Sequence, residues 1–305
     1  MRVLVTGTSG QVVSALKQLK LPPIDWISAG RPELDLADPA SIARTIQRIQ
    51  PAAIINAAAY TAVDRAEVER GSAHAINAAG AGAVAAEAAM LNIPVIHLST
   101  DYVFNGTGQT PHRETDPVNP QCEYGRSKLA GEISVARANP RHVIVRTAWI
   151  YSETGSNFLK TMLHLAQTHS KIDVVNDQIG NPTYARHLAA AIGQILQNLV
   201  SEPQNSRLFG IFHCAGSNPA TWADFAEEIF SQAKQYSAPI PEVRRVSTQD
   251  FAIGRSAMAN RPMNSRLDCS HLKIVHGVSL PDWRIGVAAC VKRVMSDQSS
   301  KQERP

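Results

Sequence analysis

The sequence predicts an α/β protein built on a doubly wound parallel sheet, and three observations support this prediction. Short apolar runs typical of buried strands recur near residues 2–6, 53–57, 94–99 and 142–147. Ala-rich stretches with helical character lie between them, at residues 39–50 and 72–91. The chain has 305 residues, enough to bury the core of such a sheet and to add a smaller α/β lobe. Because strands and helices alternate, the strands are expected to run parallel.

The first strand leads into a glycine-containing turn, Gly7-Thr-Ser-Gly10-Gln11, before a helical pattern begins. Glycines let the backbone approach a pyrophosphate, and a helix N-terminus offers that group free N–H donors. The turn therefore predicts a dinucleotide site, although Val13 stands where a third glycine is expected. A tight turn without a ligand is the alternative interpretation.

The regular alternation weakens after residue 150, which predicts two domains. Residues 1–150 are assigned to a dinucleotide-binding domain and residues 151–295 mainly to a substrate-binding lobe, whose segments can interleave with the first. Residues 296–305 are polar and are expected to form a flexible tail. Amphipathic helices are predicted in the second half near residues 156–169, 183–200 and 221–235.

Composition excludes several classes of function. The formal net charge of +4 comes without a run of Lys or Arg, which argues against a nucleic-acid groove. The four cysteines form no C-x-x-C pair, so neither a metal site nor a disulfide framework is predicted. No apolar stretch is long enough for a membrane span, and the N-terminus lacks a signal-peptide pattern. We therefore expect a cytoplasmic protein that acts on a small molecule, with no nucleic-acid or membrane partner.

Tyr124 and Lys128 give the strongest chemical signal. Four residues apart on a helix, their side chains share one face. A nearby cation lowers the pKa of a phenol, so Tyr124 is a candidate proton donor to a carbonyl oxygen. Thr100 and Asp101 follow the strand just upstream, at the sheet edge where ligands bind in open α/β sheets. A solvated helix without function is the alternative for the spacing alone.

Further motifs occur in a fixed order along nearly the whole chain. They are Gly7-x-x-Gly10-Gln11, Asn56-Ala-Ala-Ala-Tyr-Thr-Ala-Val-Asp64, Ser99-Thr-Asp-Tyr-Val-Phe104, Tyr124-x-x-x-Lys128, Arg146-Thr-Ala-Trp149, Asn176-Asp-Gln-x-Gly180-x-Pro182-Thr183 and Arg261-Pro-x-Asn-Ser265. This series resembles the extended short-chain dehydrogenases/reductases, and within them the dTDP-4-dehydrorhamnose reductase family. The resemblance implies a Rossmann-type sheet and reduction of the C4 ketone of dTDP-4-dehydro-L-rhamnose to dTDP-L-rhamnose by NADPH or NADH.

The resemblance also implies a catalytic role for three side chains. Tyr124 would protonate the forming alkoxide. Lys128 would lower the pKa of that phenol and hold the nicotinamide ribose hydroxyls. Thr100 would bridge to the sugar oxygen, unless it only closes an ST-turn. Asp101 would either contact the sugar or cap the turn.

A larger set of residues is expected to hold the cofactor. By resemblance, these are Gly7, Gly10, Gln11, Val12, Asp35, Leu36, Ala57, Ala58 and Ala59, together with Tyr124 and Lys128. The predicted second strand ends at Arg31 without an acidic residue that would bind the adenosine 2′-hydroxyl. An arginine there can pair with a 2′-phosphate, so NADPH is expected to serve at least as well as NADH. An exposed loop arginine is the alternative.

Five positions are expected to contact the nucleotide sugar besides Thr100 and Asp101. By resemblance, Val63, Asp64 and Glu67 line the cleft and Trp149 contacts the sugar, although a tryptophan at a strand end is often core. Arg261 is a candidate for the diphosphate because a guanidinium binds phosphate oxygens in pairs. A structural turn anchored by Pro262 is the alternative.

Assembly is expected to differ from that of some relatives. Some reductases of this family dimerise through Mg²⁺ held by acidic side chains, one of which follows the Gly-x-Pro-Thr string. Here that stretch contains Arg186, and an arginine repels a cation. We therefore expect no metal site, and a monomer or a weak homodimer.

Two alternative functions remain open from the sequence. One is a nucleotide-sugar epimerase or dehydratase on the same scaffold, but the neighbour of Thr100 is Asp101 followed by Tyr102, without the Glu expected of a dehydratase. The other is a non-catalytic regulatory subunit that binds NADP, like the β subunit of methionine adenosyltransferase. The intact Thr100, Tyr124 and Lys128 argue against it.

Overall fold

The computed structural model describes residues 1–253 and 259–302. The strands are β1 (Arg2–Thr6), β2 (Asp25–Ala29), β3 (Ala53–Asn56), β4 (Val95–Thr100), β5 (His142–Thr147), β6 (Ile150–Tyr151), β7 (Lys171–Val175), β8 (Ile179–Gly180), β9 (Thr183–Tyr184), β10 (Gly210–His213), β11 (Ala220–Thr221), β12 (Glu242–Val246) and β13 (Asn264–Ser265). The helices are α1 (Gln11–Gln18), α2 (Pro39–Ile49), α3 (Val63–Ala66), α4 (Arg70–His74), α5 (Ala81–Met90), α6 (Glu123–Ala138), α7 (Phe158–Leu165), α8 (Ala185–Ser201), α9 (Trp222–Lys234), α10 (Thr248–Ala252), α11 (Ser270–His276) and α12 (Trp283–Gln302).

A six-stranded parallel sheet forms the centre of the molecule, in the order β10-β5-β4-β3-β1-β2. The predicted fold class is confirmed, and the four strands expected in the first half are all present. The chain moves outward from β1 to β2 and then returns to place β3 on the other side of β1. Such a change of direction opens a crevice at the carboxyl ends of the two inner strands, where open α/β sheets bind ligands.

Helices cover both faces of this sheet because successive side chains of a strand point to opposite sides. On β1, Val3 and Val5 face one core, which contains residues of α1 and α8. Leu4 faces the other core, against α2 and α5. Burying an aliphatic side chain of this size contributes roughly 1.5–3 kcal/mol. The first strand is therefore fixed from both sides, and with it the glycine turn that follows.

The second half builds smaller sheets around an aromatic core. β7 pairs with β12, β6 pairs with β9, and β8 lies between β11 and β13. Tyr151, Phe225 and Trp283 lie buried in the core of this lobe. However, β10 pairs with β5 and α8 packs beside α1, so both belong to the first sheet. Segments of the second half therefore interleave with the first, and the division into two domains stays a prediction.

The last helix, α12, runs through Gln302 and so includes much of the predicted tail, while residues 303–305 lie outside the described residues. Within the described part of the chain, no helix combines the length and apolar character needed to cross a bilayer.

Candidate active site

A cleft of about 840 Å³ opens at the carboxyl ends of β1, β3 and β4. Most of the residues predicted from the sequence meet there. Those that line it are Gly7, Gly10, Gln11, Val12, Arg31, Asp35, Leu36, Ala57, Ala58, Ala59, Val63, Thr100, Asp101, Tyr124, Lys128 and Trp149. Asp64, Glu67 and Arg261 do not line this cleft.

The glycine turn forms one end of the cleft. Gly7 has a φ of +94°, which side chains rarely tolerate, and its N–H donates to Ala29 O at 2.6 Å. Gly10 precedes α1 without a capping side chain, so the first N–H groups of that helix can bind an anion. Val13, which replaces the third glycine, is buried and lies against Gly7. The turn keeps its shape despite this substitution.

The adenosine end of the predicted cofactor site lies beyond β2. Arg31 is exposed on the rim, directly after a close approach of Gly30 to Thr8. Asp35 accepts a hydrogen bond from Ala37 N at 2.9 Å, which fixes its carboxylate beside the buried Leu36. The rim thus carries the cation of Arg31, and the carboxylate of Asp35 is held by the backbone.

Tyr124 and Lys128 lie one turn apart on α6, and both side chains reach the cleft as predicted. Lys128 Nζ donates to Leu98 O at 2.7 Å, and burial lowers the pKa of this lysine to about 8. The expected lowering of the pKa of Tyr124 is wrong. Burial raises the pKa of the Tyr124 phenol instead, partly opposed by hydrogen bonding to Thr100. The physical reason is that burial disfavours the charged form of both groups, which raises the pKa of the phenol and lowers that of the lysine.

Thr100 ends β4 and caps the short 3₁₀ turn at Asp101–Val103. Its hydroxyl accepts from Tyr102 N at 3.2 Å and donates to Asp101 Oδ1 at 3.0 Å. Asp101 is 3 % exposed, and burial raises the pKa of its carboxyl group to about 6, opposed by hydrogen bonds from Ser265 and Thr100. The turn-capping interpretation of Thr100 is therefore correct, and the same hydroxyl also lines the cleft.

The far wall of the cleft is aromatic. Trp149 has a φ of +46° and stacks on Trp222, with ring centroids 3.6 Å apart and planes 10° apart. Behind it, a Cβ at Gly180 would lie only 2.5 Å from the indole, so only glycine lets the ring occupy this position. Trp222 lines the cleft as well and donates from Nε1 to Gln178 at 3.1 Å. Sequence reasoning missed Trp222, since its place at the start of a helix carries no spacing signal.

The three predicted residues outside the cleft form contacts near its entrance. Arg261 pairs with Asp64 at 3.0 Å, and Asp64 also accepts from Ala259 N at 2.9 Å. Glu67 accepts from Glu123 N at 2.8 Å. Arg261 lines a second cavity of about 340 Å³, which adjoins the cleft through Tyr102. The sequence motifs could not show which of these residues line the cleft and which line the second cavity.

Arg186, which argued against a metal site in the sequence, forms an ion pair in the structure. Arg186 lies 2.5 Å from Glu153 Oε1 and also donates to Gln18, and Tyr184 donates to the same carboxylate at 3.0 Å. The pKa of Glu153 is lowered because these hydrogen bonds outweigh its burial. The carboxylate of Glu153 is therefore already neutralised by Arg186.

The chain is similar to known proteins along nearly its whole length. The model of the RmlD substrate binding domain matches residues 1–296. A dTDP-4-dehydrorhamnose reductase of Sinorhizobium fredii is 44% identical over 283 residues, which cover 93% of this chain and 94% of that protein. The enzyme of the same name from Escherichia coli K12 is 36% identical, over 97% of this chain and 98% of that protein.

Two solved structures share the overall fold. A dTDP-4-dehydrorhamnose reductase of Bacillus anthracis in complex with NADP superposes with a TM-score of 0.87 at 34% identity, over 96% of this chain and 99% of that one. One from Clostridium acetobutylicum gives the same TM-score, 0.87, and the same identity, 34%, over 96% of this chain and 99% of that one. On this evidence the chain belongs to the dTDP-4-dehydrorhamnose reductase family.

Proposed function

We propose that the protein reduces the C4 ketone of dTDP-4-dehydro-L-rhamnose to dTDP-L-rhamnose with a hydride from NADPH. The observation that carries this proposal is the meeting of Tyr124, Lys128 and Thr100 in one cleft with the uncapped N-terminus of α1. The reductases of Sinorhizobium fredii and Escherichia coli, and the NADP complex from Bacillus anthracis, support it.

The residues at the glycine turn fit a dinucleotide. The first N–H groups of α1 would hold the pyrophosphate, and Ala57 to Ala59 offer only methyl groups beside the place for the nicotinamide half. Arg31 would pair with the 2′-phosphate, which favours NADPH over NADH. When bound, the nicotinamide supplies the hydride.

Tyr124 would supply the proton. Because burial raises the pKa of its phenol, Tyr124 is protonated at neutral pH and can donate to the oxygen that becomes an alkoxide as the hydride adds to C4. The ammonium of Lys128, directed by Leu98 O, would offset the negative charge left on the phenolate. Thr100 would hold the sugar oxygen in line with Tyr124.

The substrate would lie between this pair and the stacked indoles. Trp149 and Val63 present apolar surface to the sugar, and Asp101 would accept from one of its hydroxyls. The second cavity, with Arg261 and near Asp64 and Glu67, would receive the diphosphate end. We further propose a cytoplasmic monomer or weak homodimer without a metal ion or a nucleic-acid partner, supported by the Arg186–Glu153 pair.

The test follows NADPH absorbance when the purified protein receives dTDP-4-dehydro-L-rhamnose generated in situ. Tyr124→Phe is expected to lower the turnover number by roughly 10²–10⁴-fold while NADPH still binds. Tyr236→Phe serves as the matched control, because Tyr236 is a surface tyrosine outside the cleft. Full turnover in Tyr124→Phe would refute the role of the phenol. Tight NADPH binding without turnover on the sugar would favour the regulatory-subunit interpretation.

A further inference from the structure

A buried chain of hydrogen bonds connects the cofactor end of the cleft to Lys128. Its members are Thr6 on β1, Asn56 on β3 and His97 on β4, and all are at most 1 % exposed. The chain crosses three strands of the central sheet beneath the cleft. None of these three side chains lines the cleft itself, so a role in ligand contact does not explain them.

The hydroxyl of Thr6 determines which group donates and which accepts in each of these hydrogen bonds. Thr6 Oγ1 accepts from the backbone N–H groups of Ala57 and Ala58, both at 3.0 Å. A hydroxyl has two acceptor sites and one hydrogen, so both acceptor sites are used and the hydrogen must be donated. It goes to Asn56 Oδ1 at 2.7 Å. The amide oxygen of Asn56 therefore faces Thr6, and its NH₂ group faces the other way.

The orientation of Asn56 fixes the tautomer of His97. Asn56 Nδ2 lies 3.0 Å from His97 Nδ1, and an NH₂ group can only donate, so Nδ1 must be the unprotonated acceptor. Burial, with the charge of Lys128, lowers the pKa of His97 well below its usual value, so the ring is neutral. A neutral ring with a bare Nδ1 carries its hydrogen on Nε2.

That hydrogen points at the lysine. His97 Nε2 lies 3.5 Å from Lys128 Nζ, and an ammonium also has only hydrogens to offer. The two groups cannot bond while Lys128 is charged. The ammonium must instead turn its hydrogens to Leu98 O, 2.7 Å away, and toward the open cleft.

We propose that His97 is a positioning residue, locked as the Nε2–H tautomer by Thr6 and Asn56, which directs the ammonium of Lys128 into the cofactor cleft. This inference rests on the proposed function, because it assigns a task to the proposed catalytic lysine. The anchor of the chain is the backbone of Ala57 and Ala58, which lines the same cleft. The cofactor-binding backbone and the catalytic lysine are thereby joined through a path that does not pass through any ligand.

Several other groups act on the charge of Lys128. Glu132, on the same helix, favours the ammonium, but it is paired at 2.7 Å with Arg146 of β5. From β4 come Leu98 O and His97, and His142 of β5 acts in turn on His97. On the cleft side, the other charged or titratable groups among the described residues are Tyr124, Asp101, Tyr102, Arg31 and Asp35. Of these groups, His97 is the one whose donor or acceptor character depends on a remote hydroxyl.

The first test reads the tautomer directly in the full-length protein without cofactor. In ¹⁵N-histidine-labelled protein, the His97 signals are assigned by their loss in His97→Gln. The wild type is expected to show a protonated Nε2 and a bare Nδ1 between pH 6 and 9, a range chosen to span the ordinary pKa of histidine. A protonated Nδ1, or a charged ring, would overturn the inference without any reference to enzymatic activity.

The second test follows the pH dependence of NADPH affinity, which requires no sugar substrate. Thr6→Val lets Asn56 turn over and present its oxygen, so that Nε2 becomes an acceptor and stabilises the ammonium. The pH at which NADPH affinity declines is then expected to rise by about one unit. Thr6→Ser, which keeps the hydroxyl, is expected to restore the wild-type profile. His97→Gln, whose amide oxygen can accept from Lys128, is expected to shift the profile upward as well.

These outcomes separate the inference from the proposed function. The inference fails if all variants bind NADPH more weakly at every pH while the midpoint of the pH profile stays unshifted. The hydrogen bonds from Thr6 to His97 would then have only a structural role. If the tautomer and the shifts are as expected but no turnover on the sugar occurs, the proposed reaction fails and the positioning role remains.

Discussion

Thr100 and Asp101 are adjacent in the chain and share a hydrogen bond of 3.0 Å, so the hydroxyl proposed to hold the sugar oxygen is tied to a buried acid. Burial raises the pKa of Asp101 from 3.8 to about 6. Folding therefore disfavours the ionised form. At low pH the carboxyl group is protonated in both the folded and the unfolded state, so it costs no stability. As pH rises through 6, the ionised group lowers the free energy of unfolding.

Asp101→Asn is accordingly expected to raise the free energy of unfolding above pH 6. The gain is up to about 3 kcal/mol, from a pKa displaced by about two units, and it shrinks as pH falls toward 4. Asn keeps an oxygen that can accept from Thr100. Urea denaturation at a series of pH values measures the difference, and a gain independent of pH would show that ionisation of Asp101 is not its source.

Arg31 on the rim of the cleft allows a test of cofactor preference. Arg31→Asp is expected to raise the KM for NADPH at least tenfold more than the KM for NADH, because it exchanges attraction of the 2′-phosphate for repulsion. Arg48→Asp makes the same change of charge at an exposed position of α2 outside the cleft. Steady-state kinetics with both cofactors decide the matter, and equal effects on the two KM values would refute the assignment.

Gly180 supports the indole of Trp149 from behind, so Gly180→Ala is expected to displace that ring. The added Cβ would lie 2.5 Å from the indole, and such overpacking costs about 1–3 kcal/mol. We expect the KM for the nucleotide sugar to rise while the affinity for NADPH stays near its wild-type value. Fluorescence and near-ultraviolet circular dichroism report the loss of the Trp149–Trp222 stack. An unchanged KM with a lost stack would show that Trp149 does not contact the sugar.

Glu132 and Arg146 form an ion pair at 2.7 Å with only 3 % of each side chain exposed. Glu132→Gln leaves the guanidinium of Arg146 charged and buried, and is expected to lower the free energy of unfolding by about 3–5 kcal/mol. Asp173→Asn breaks an exposed pair with Arg244 and is expected to cost less than about 1 kcal/mol. Denaturation of both variants side by side provides the measurement, and similar losses would contradict this account of burial.

The sequence predicted the central sheet well because periodicity and glycine turns are local signals. Gly7 follows β1 and Thr100 ends β4, and the parallel sheet brings such strand ends together at one edge, where the first turn of α6 adds Tyr124. Arg261 and Asp64 were less accessible to this reasoning. Their motifs belong to the ordered series found in the sequence, but whether a side chain enters the cleft or the adjoining cavity depends on the packing of the loop.

The electrostatics of the site could not be read from the sequence either. The spacing of Tyr124 and Lys128 correctly predicts a shared helix face, yet the sign of the pKa shift depends on burial, which spacing does not report. Trp222 was missed for a related reason. It reaches the cleft only because the aromatic core of the second lobe aligns it with Trp149.

The late position of β10 in the chain has a consequence for how the protein acquires its structure. Strand β5 has no partner on its outer side until residues 210–213 have been made, and the apolar face of α1 waits for α8. During synthesis, the glycine turn and helix α6 therefore leave the ribosome well before the sheet that supports them is complete. The nascent N-terminal half exposes an unpaired edge and bare apolar surface for that interval, which makes it a substrate for chaperones and a risk for aggregation.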